Sequence, residues 1–162
     1  VQGDLGESYR NKRAVAEEIR DALPATAQLA VAALVLIVLL GIPSGVISAM
    51  YRGTWLDATL NVLSLVGLSM PVFWIGLLLI YFFGFTWPVL PIGGMRDGLA
   101  SFVLPAFTLA LNSYAMISRL TRSEVLETLG EDYIRTARAK GLRFGVVVWR
   151  HALKASFIPI VT

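Results

Sequence analysis

His151 is the one histidine in a 162-residue chain that has no cysteine, so the side chains most used for metal binding and nucleophilic chemistry are almost missing. It stands near Arg150 and Lys154 with no second ligand at metal spacing, and reads as a structural or solvated residue. The absence of cysteine rules out disulfides, thiolate zinc sites and thiol nucleophiles, and leaves the redox compartment open. No Asp, Glu, Lys or Arg lies near the middle of the long uncharged runs. That counts against a proton relay or an intramembrane hydrolase, both of which need ionisable groups inside a bundle. No GxxxxGK[ST] phosphate loop occurs, so the chain has no ATP site of the usual kind, and no catalytic residue, metal or cofactor is assigned to it.

The residues with most to offer lie between two glycines. Gly130 can end a helix, Asp132 can cap a new short one from Tyr133 to Lys140, and Gly141 can close it. Tyr133, Ala137 and Gly141 fall at i, i+4 and i+8, a narrow stripe able to lie close against a partner, flanked by Arg135, Arg138 and Lys140. The competing reading is an ordinary surface helix with its charges in water or on anionic lipid headgroups. Elsewhere Asn61, Ser69, Met70, Asn112 and Ser113 are polar or soft groups within apolar runs, candidates for a watery path or for helix–helix contacts. Gly41 and Gly45, with Pro43 between them, form a GxxxG pair suited to close helix packing. Gly67, Ser69 and Pro71 together predict a kink or a locally opened backbone.

These groups are carried on apolar elements. Hydrophobic residues make up 56% of the chain and mean hydropathy is +0.69, above the roughly 45–50% apolar content of soluble domains. The apolar residues gather in uncharged stretches, as expected where lipid replaces water. Residues 1–24 read as an extracytoplasmic amphipathic segment, with Ala14, Val15, Ile19 and Leu23 at helical spacing. Transmembrane helices are expected over 25–50, 58–83 and 98–121, with a loop over 84–97 broken by Gly84, Pro88, Pro91, Gly93 and Gly94. A cytoplasmic region follows over 122–151, and a truncated transmembrane helix begins over 152–162. The chain starts with Val1 and shows no signal-peptide pattern, so it is expected to begin inside a longer protein.

Three crossings put nine Lys or Arg on the side holding 51–57 and 119–154, against five on the other, Arg10 and Arg96 among them. The positive-inside rule makes the first side cytoplasmic. The basic residues lack the interleaved aromatics of a nucleic-acid surface, and no nucleic-acid partner is expected.

Tyr133-Ile134-Arg135-Thr136-Ala137-Arg138-Ala139-Lys140-Gly141-Leu142 resembles the cytoplasmic loop signature of binding-protein-dependent ABC importer permeases of the oligopeptide, dipeptide and nickel branch. Gly3-Asp4-Leu5-Gly6, Leu23-Pro24-Ala25-Thr26, Gly67-Leu68-Ser69-Met70-Pro71 with Phe73-Trp74, Leu104-Pro105-Ala106 and Arg150-His151-Ala152-Leu153 are similar to that branch in the same order. Arg135-Thr136-Ala137 stands where the general family has Glu-Ala-Ala, and Leu153-Lys154 where it has Leu-Pro, which suits the peptide branch.

The resemblance implies an all-α membrane protein, a polytopic transmembrane helix bundle with a short cytoplasmic coupling helix, forming part of an ABC permease fold. It implies ATPase-coupling residues Glu131, Asp132, Tyr133, Arg135, Thr136, Ala137, Arg138, Ala139, Lys140 and Gly141, on a helix over 131–142 that docks in a groove of an ATPase. The implied partners are a second permease subunit, nucleotide-binding ATPase subunits that hold ATP and Mg, an extracytoplasmic substrate-binding protein and membrane lipid. The implied location is a bacterial or archaeal inner membrane, and the implied cargo a peptide or a solute such as nickel. A gradient-driven transporter or channel, and a non-transporting membrane assembly subunit, are the alternatives.

Overall fold

The structure is a computed structural model that describes residues 5–9, 11–94 and 98–161. Gly3 and Asp4 of the first matching stretch, Arg10 and Arg96 of the charge comparison, the end of the 84–97 loop and Thr162 lie outside the described residues. Among those described no strand forms, although Glu7 and Ala14 make an isolated antiparallel bridge. The helices are α1 (Val15–Met50), α2 (Trp55–Ser69), α3 (Val72–Leu79), α4 (Ala100–Thr128), α5 (Asp132–Ala139), α6 (Phe144–Val146) and α7 (Leu153–Val161). Two π-helical stretches interrupt the pattern, Ile80–Thr86 after α3 and Val147–Ala152 before α7.

The boundary expected between residues 24 and 25 is absent. α1 runs unbroken from Val15 through Pro24 and Pro43 to Met50. Good helix formers crowd both sides of Pro24, among them Ala22, Ala25, Ala27 and Ala30, and propensity carries the helix across. At about 1.5 Å per residue its 36 residues reach roughly 54 Å, well beyond the ~30 Å of hydrocarbon in a bilayer. The charged first turns therefore project from the apolar zone as an extension of the span, in place of a separate surface helix.

The span expected over 58–83, with its kink near Pro71, is a sharply broken one. α2 and the stretch Val72–Thr86 meet at 107° across Met70 and Pro71. Pro71 has no N–H to give the carbonyl one turn back, and its ring pushes the preceding residue out of the helical region. Met70 accordingly sits extended at φ −90°, ψ 135°.

Whether this bent pair returns the chain across the bundle follows from how its neighbours pair. Gly41 lies against Tyr114 and Ile117 of α4, Gly45 against Ser118 and Thr121, and Ser48 against Arg122. Rising numbers on α1 meet rising numbers on α4, so the two long helices are parallel neighbours. On the bent pair the order reverses: Asp57 meets Arg122, Gly67 meets Leu111 and Ala115, and Gly76 meets Thr108. The pair descends beside α4 and forms one broken passage back along the bundle.

The α1–α4 seam depends on missing side chains. A Cβ on Gly45 would stand 2.5 Å from the Ser118 carbonyl oxygen and 2.7 Å from Thr121 Cβ, and one on Gly41 3.0 Å from Ile117 Cγ2. Gly67 gives the same closeness to α2, where a Cβ would lie 3.2 Å from the Leu111 carbonyl oxygen. Farther along, Ser156 of α7 donates to the Glu124 carbonyl and bonds Thr128 Oγ1 at 2.8 Å, tying α7 to the end of α4.

Candidate functional site

α4 ends in a turn at Leu129 and Gly130, where the Gly130 and Glu131 N–H groups donate to the Glu127 and Thr128 carbonyls. Glu131, extended at φ −70°, ψ 150°, holds the cap position of α5, and its side chain makes no cap bond. This corrects the expected cap at Asp132. The aspartate instead lies in the first turn, where negative charge complements the helix N-terminus, and pairs with Arg135 at 3.0 Å. The helix stops as expected at glycine: Gly141 takes φ +79°, a region disfavoured for side-chain-bearing residues, and its N–H reaches the Arg138 carbonyl.

Ile134 fastens α5 to the rest of the molecule. It is 1% exposed, within a cluster formed by Val46 and Ala49 of α1, Val125 of α4 and Val147, Val148 and Ala152 of the π-helical stretch. Burying such a side chain contributes about 1.5–3 kcal/mol. Ala137 is partly buried against the same cluster, because residues three apart share a helix face. The stripe of Tyr133, Ala137 and Gly141 therefore does not form one outward surface. Tyr133, Arg135, Thr136, Ala139 and Lys140 face outward, as does Arg138, whose guanidinium carbon lies 5.0 Å from the Phe144 ring centroid. Partial burial, and secondarily the Glu131 charge, raise the Tyr133 phenol above its ordinary value.

Ile134 was readable in principle, as the one side chain between 131 and 141 that is aliphatic and larger than alanine. Periodicity defines faces without saying which one turns inward.

One turn behind this seat lies a polar knot that the sequence did not announce. Asp57, 5% exposed, receives Arg122 Nε on Oδ1 at 2.9 Å and Nη2 on Oδ2 at 2.8 Å. Ser48 Oγ also donates to Oδ1, and the Gly53 N–H reaches Oδ2 at 3.0 Å. Asn61 Nδ2 donates to Oδ1 at 2.7 Å and to the Asp57 carbonyl. Every partner is a donor, as an ionised carboxylate requires. Asn61, expected as a path residue, is engaged in this knot.

The other path candidates scatter. Ser69 and Ser113 are exposed, and Asn112 is half-buried. Met70 alone of the five borders the main cavity, about 480 Å³, walled by Leu40 of α1, Leu63 of α2, Phe82 beyond α3, and Phe107 and Tyr114 of α4. The walls are almost wholly apolar. The bend opens this space by swinging α3 away from the line of α2.

A family model described as the binding-protein-dependent transport system inner membrane component matches residues 41–162. The chain is 39% identical to the probable D,D-dipeptide transport system permease protein DdpB of Escherichia coli K12, with 99% of this chain and 55% of that protein aligned. It is 39% identical to the dipeptide transport system permease protein DppB of Haemophilus influenzae Rd, with 100% and 56% aligned. It is likewise 39% identical to the glutathione transport system permease protein GsiC of Escherichia coli O6:H1, with 100% and 53% aligned. The chain spans about half the length of the curated relatives it matches.

Proposed function

This chain belongs to the binding-protein-dependent transport system inner membrane component family, and from that premise we propose that it forms part of the permease of an ATP-driven importer of peptides or a related solute. α5 is the element that engages a nucleotide-binding ATPase on the cytoplasmic side of a bacterial inner membrane. ATP and Mg belong to that ATPase. A second permease subunit completes the path, and an extracytoplasmic binding protein delivers the solute. The names of the relatives, which concern dipeptides and glutathione, support this class of cargo.

The observation that carries the reading is the two-sidedness of α5: one buried anchor, Ile134, on a core shared by α1 and α4, and outward Tyr133, Arg135, Thr136 and Lys140. With its apolar anchor turned inward, such a helix offers a partner its polar face, whose cations suit acidic groups there. Swinging a gate from 1:99 to 99:1 takes about 5.5 kcal/mol of differential binding, a load that ATP-driven closure of two ATPase subunits can bear. The anchor offers a route for that work into the helices.

The test is recovery of the full-length protein from native membranes, wild type against Thr136→Glu with Lys140→Glu, both outward positions. Loss of the ATPase with retention of the partner permease is the expected result. A wild-type complex that contains no ATPase would overturn the reading and favour a gradient-driven transporter.

A further inference from the structure

We infer that Asp57 and Arg122 are positioning residues for coupling: with Ser48 and Gly53 they lock the α1 end, the α2 start and α4 together, so that displacement of α5 reaches the bend at Met70. The inference rests on the proposed role of α5 and adds the route by which its movement would reach the cavity.

The placement of the knot supports it. Ser48 precedes Ala49, and Arg122 lies one turn before Val125; Ala49 and Val125 both pack in the cluster that seats Ile134. On its other side, Asp57 stands in the first turn of α2, whose later residues Leu63, Val66 and Gly67 border the cavity before the bend. The knot therefore lies between the seat of α5 and the wall of the cavity.

Its chemistry supports it as well. With Asp57 buried and Arg122 partly so, an ion pair here is a poor device for stability alone, since well-packed apolar residues often serve as well or better. A two-pronged guanidinium–carboxylate contact does fix both distance and orientation. The turn between α1 and α2 is shaped to the same end. Gly53 takes φ +79° with open space where a side chain would stand, so glycine is needed there for its backbone angle, which directs the Gly53 N–H at Asp57 Oδ2. Without the knot, α2 would meet the α5 seat only through the Tyr51–Thr54 turn and ordinary side-chain packing.

The experiment uses the full-length protein assembled with its partner permease and ATPase subunits, with Mg-ATP as the only added ligand. Spin labels replace exposed Leu65 and Leu77, one on each arm of the bend, and their separation is measured with and without nucleotide. In the unaltered background ATP shifts the distance distribution. Asp57→Asn and Arg122→Lys keep the ATPase bound and hydrolysis within about twofold, while the shifted population falls about tenfold or more. The double variant Asp57→Leu with Arg122→Leu keeps the contact packed and also loses the shift.

The inference is overturned if the double variant shifts normally, if assembled variant complexes shift as the parent does, or if the parent shows no shift. Each of these outcomes with the ATPase still bound leaves the role of α5 standing. A parent complex without an ATPase overturns both.

Discussion

Two regions of the bundle, the seat of α5 and the cavity at the bend, are built differently. Around α5, Val46, Val125, Ile134, Val147, Val148 and Ala152 are at most 1% exposed, and the nearby carboxylate has all its partners. At the bend a half-open pocket of about 480 Å³ is lined almost wholly by apolar side chains, among them leucines, phenylalanines and Met70. A close-packed interior transmits displacement because it has few voids to absorb it. A void-lined wall can change shape at small cost. Under the proposed function, this contrast would let the α5 seat move as a unit while the cavity alters its width.

The comparison can be broken most severely at Ile134. Ile134→Asp puts an unpaired carboxylate into the cluster, at a cost of about 3–5 kcal/mol. α5 should detach, and trypsin should cut rapidly after Arg135 and Arg138 in detergent. Equal protease resistance in the variant and the parent would show that the seat is looser than its burial implies.

At the seam, Gly45→Val drives a side chain toward the Ser118 carbonyl and Thr121, an overpacking cost of about 1–3 kcal/mol. A lower midpoint of thermal unfolding by circular dichroism is expected. Gly76→Ala, whose Cβ would stand 3.2 Å from Thr108 Cγ2 rather than 2.5 Å from a carbonyl, should lower it less. Reversal of that order would place the tighter packing on the bent pair.

Across the cavity, Leu63→Ala removes a side chain that is already half exposed, and should cost about 1 kcal/mol or less. The smallest effect belongs to Arg135→Ala. Its ion pair with Asp132 is solvent-exposed and contributes little to folding, so the midpoint should not move, whereas ATPase retention in a native-membrane pull-down should fall.

Much of the architecture was legible because lipid imposes long uncharged runs: that of 25–50 lies within α1, and that of 98–118 lies, but for its first two residues, within α4. Pro71 also announced a disturbance, but a single missing N–H predicts a break without its angle. The α5 segment was legible as a short helix closed by Gly141, with its inward face unresolved. An aliphatic residue among charges marks a buried side only once a core is known to lie beneath it. The Asp57–Arg122 knot was the least visible. Its members are 65 residues apart, and they meet only because the bent pair brings α4 back parallel to α1. Local spacing carries no trace of such a meeting.

That parallel arrangement also imposes a delay during synthesis. Gly45 must wait for its neighbours Ser118 and Thr121, more than seventy residues later, while chain growth proceeds at about 5–20 residues per second. For roughly 4–15 s at that pace, the glycine face of α1 has no α4 to cover it. During that interval the groove is open to whatever helix the insertion machinery brings alongside. A substitution that narrows it would then act on the order of assembly before it acts on the finished bundle, appearing first as protein lost during biogenesis.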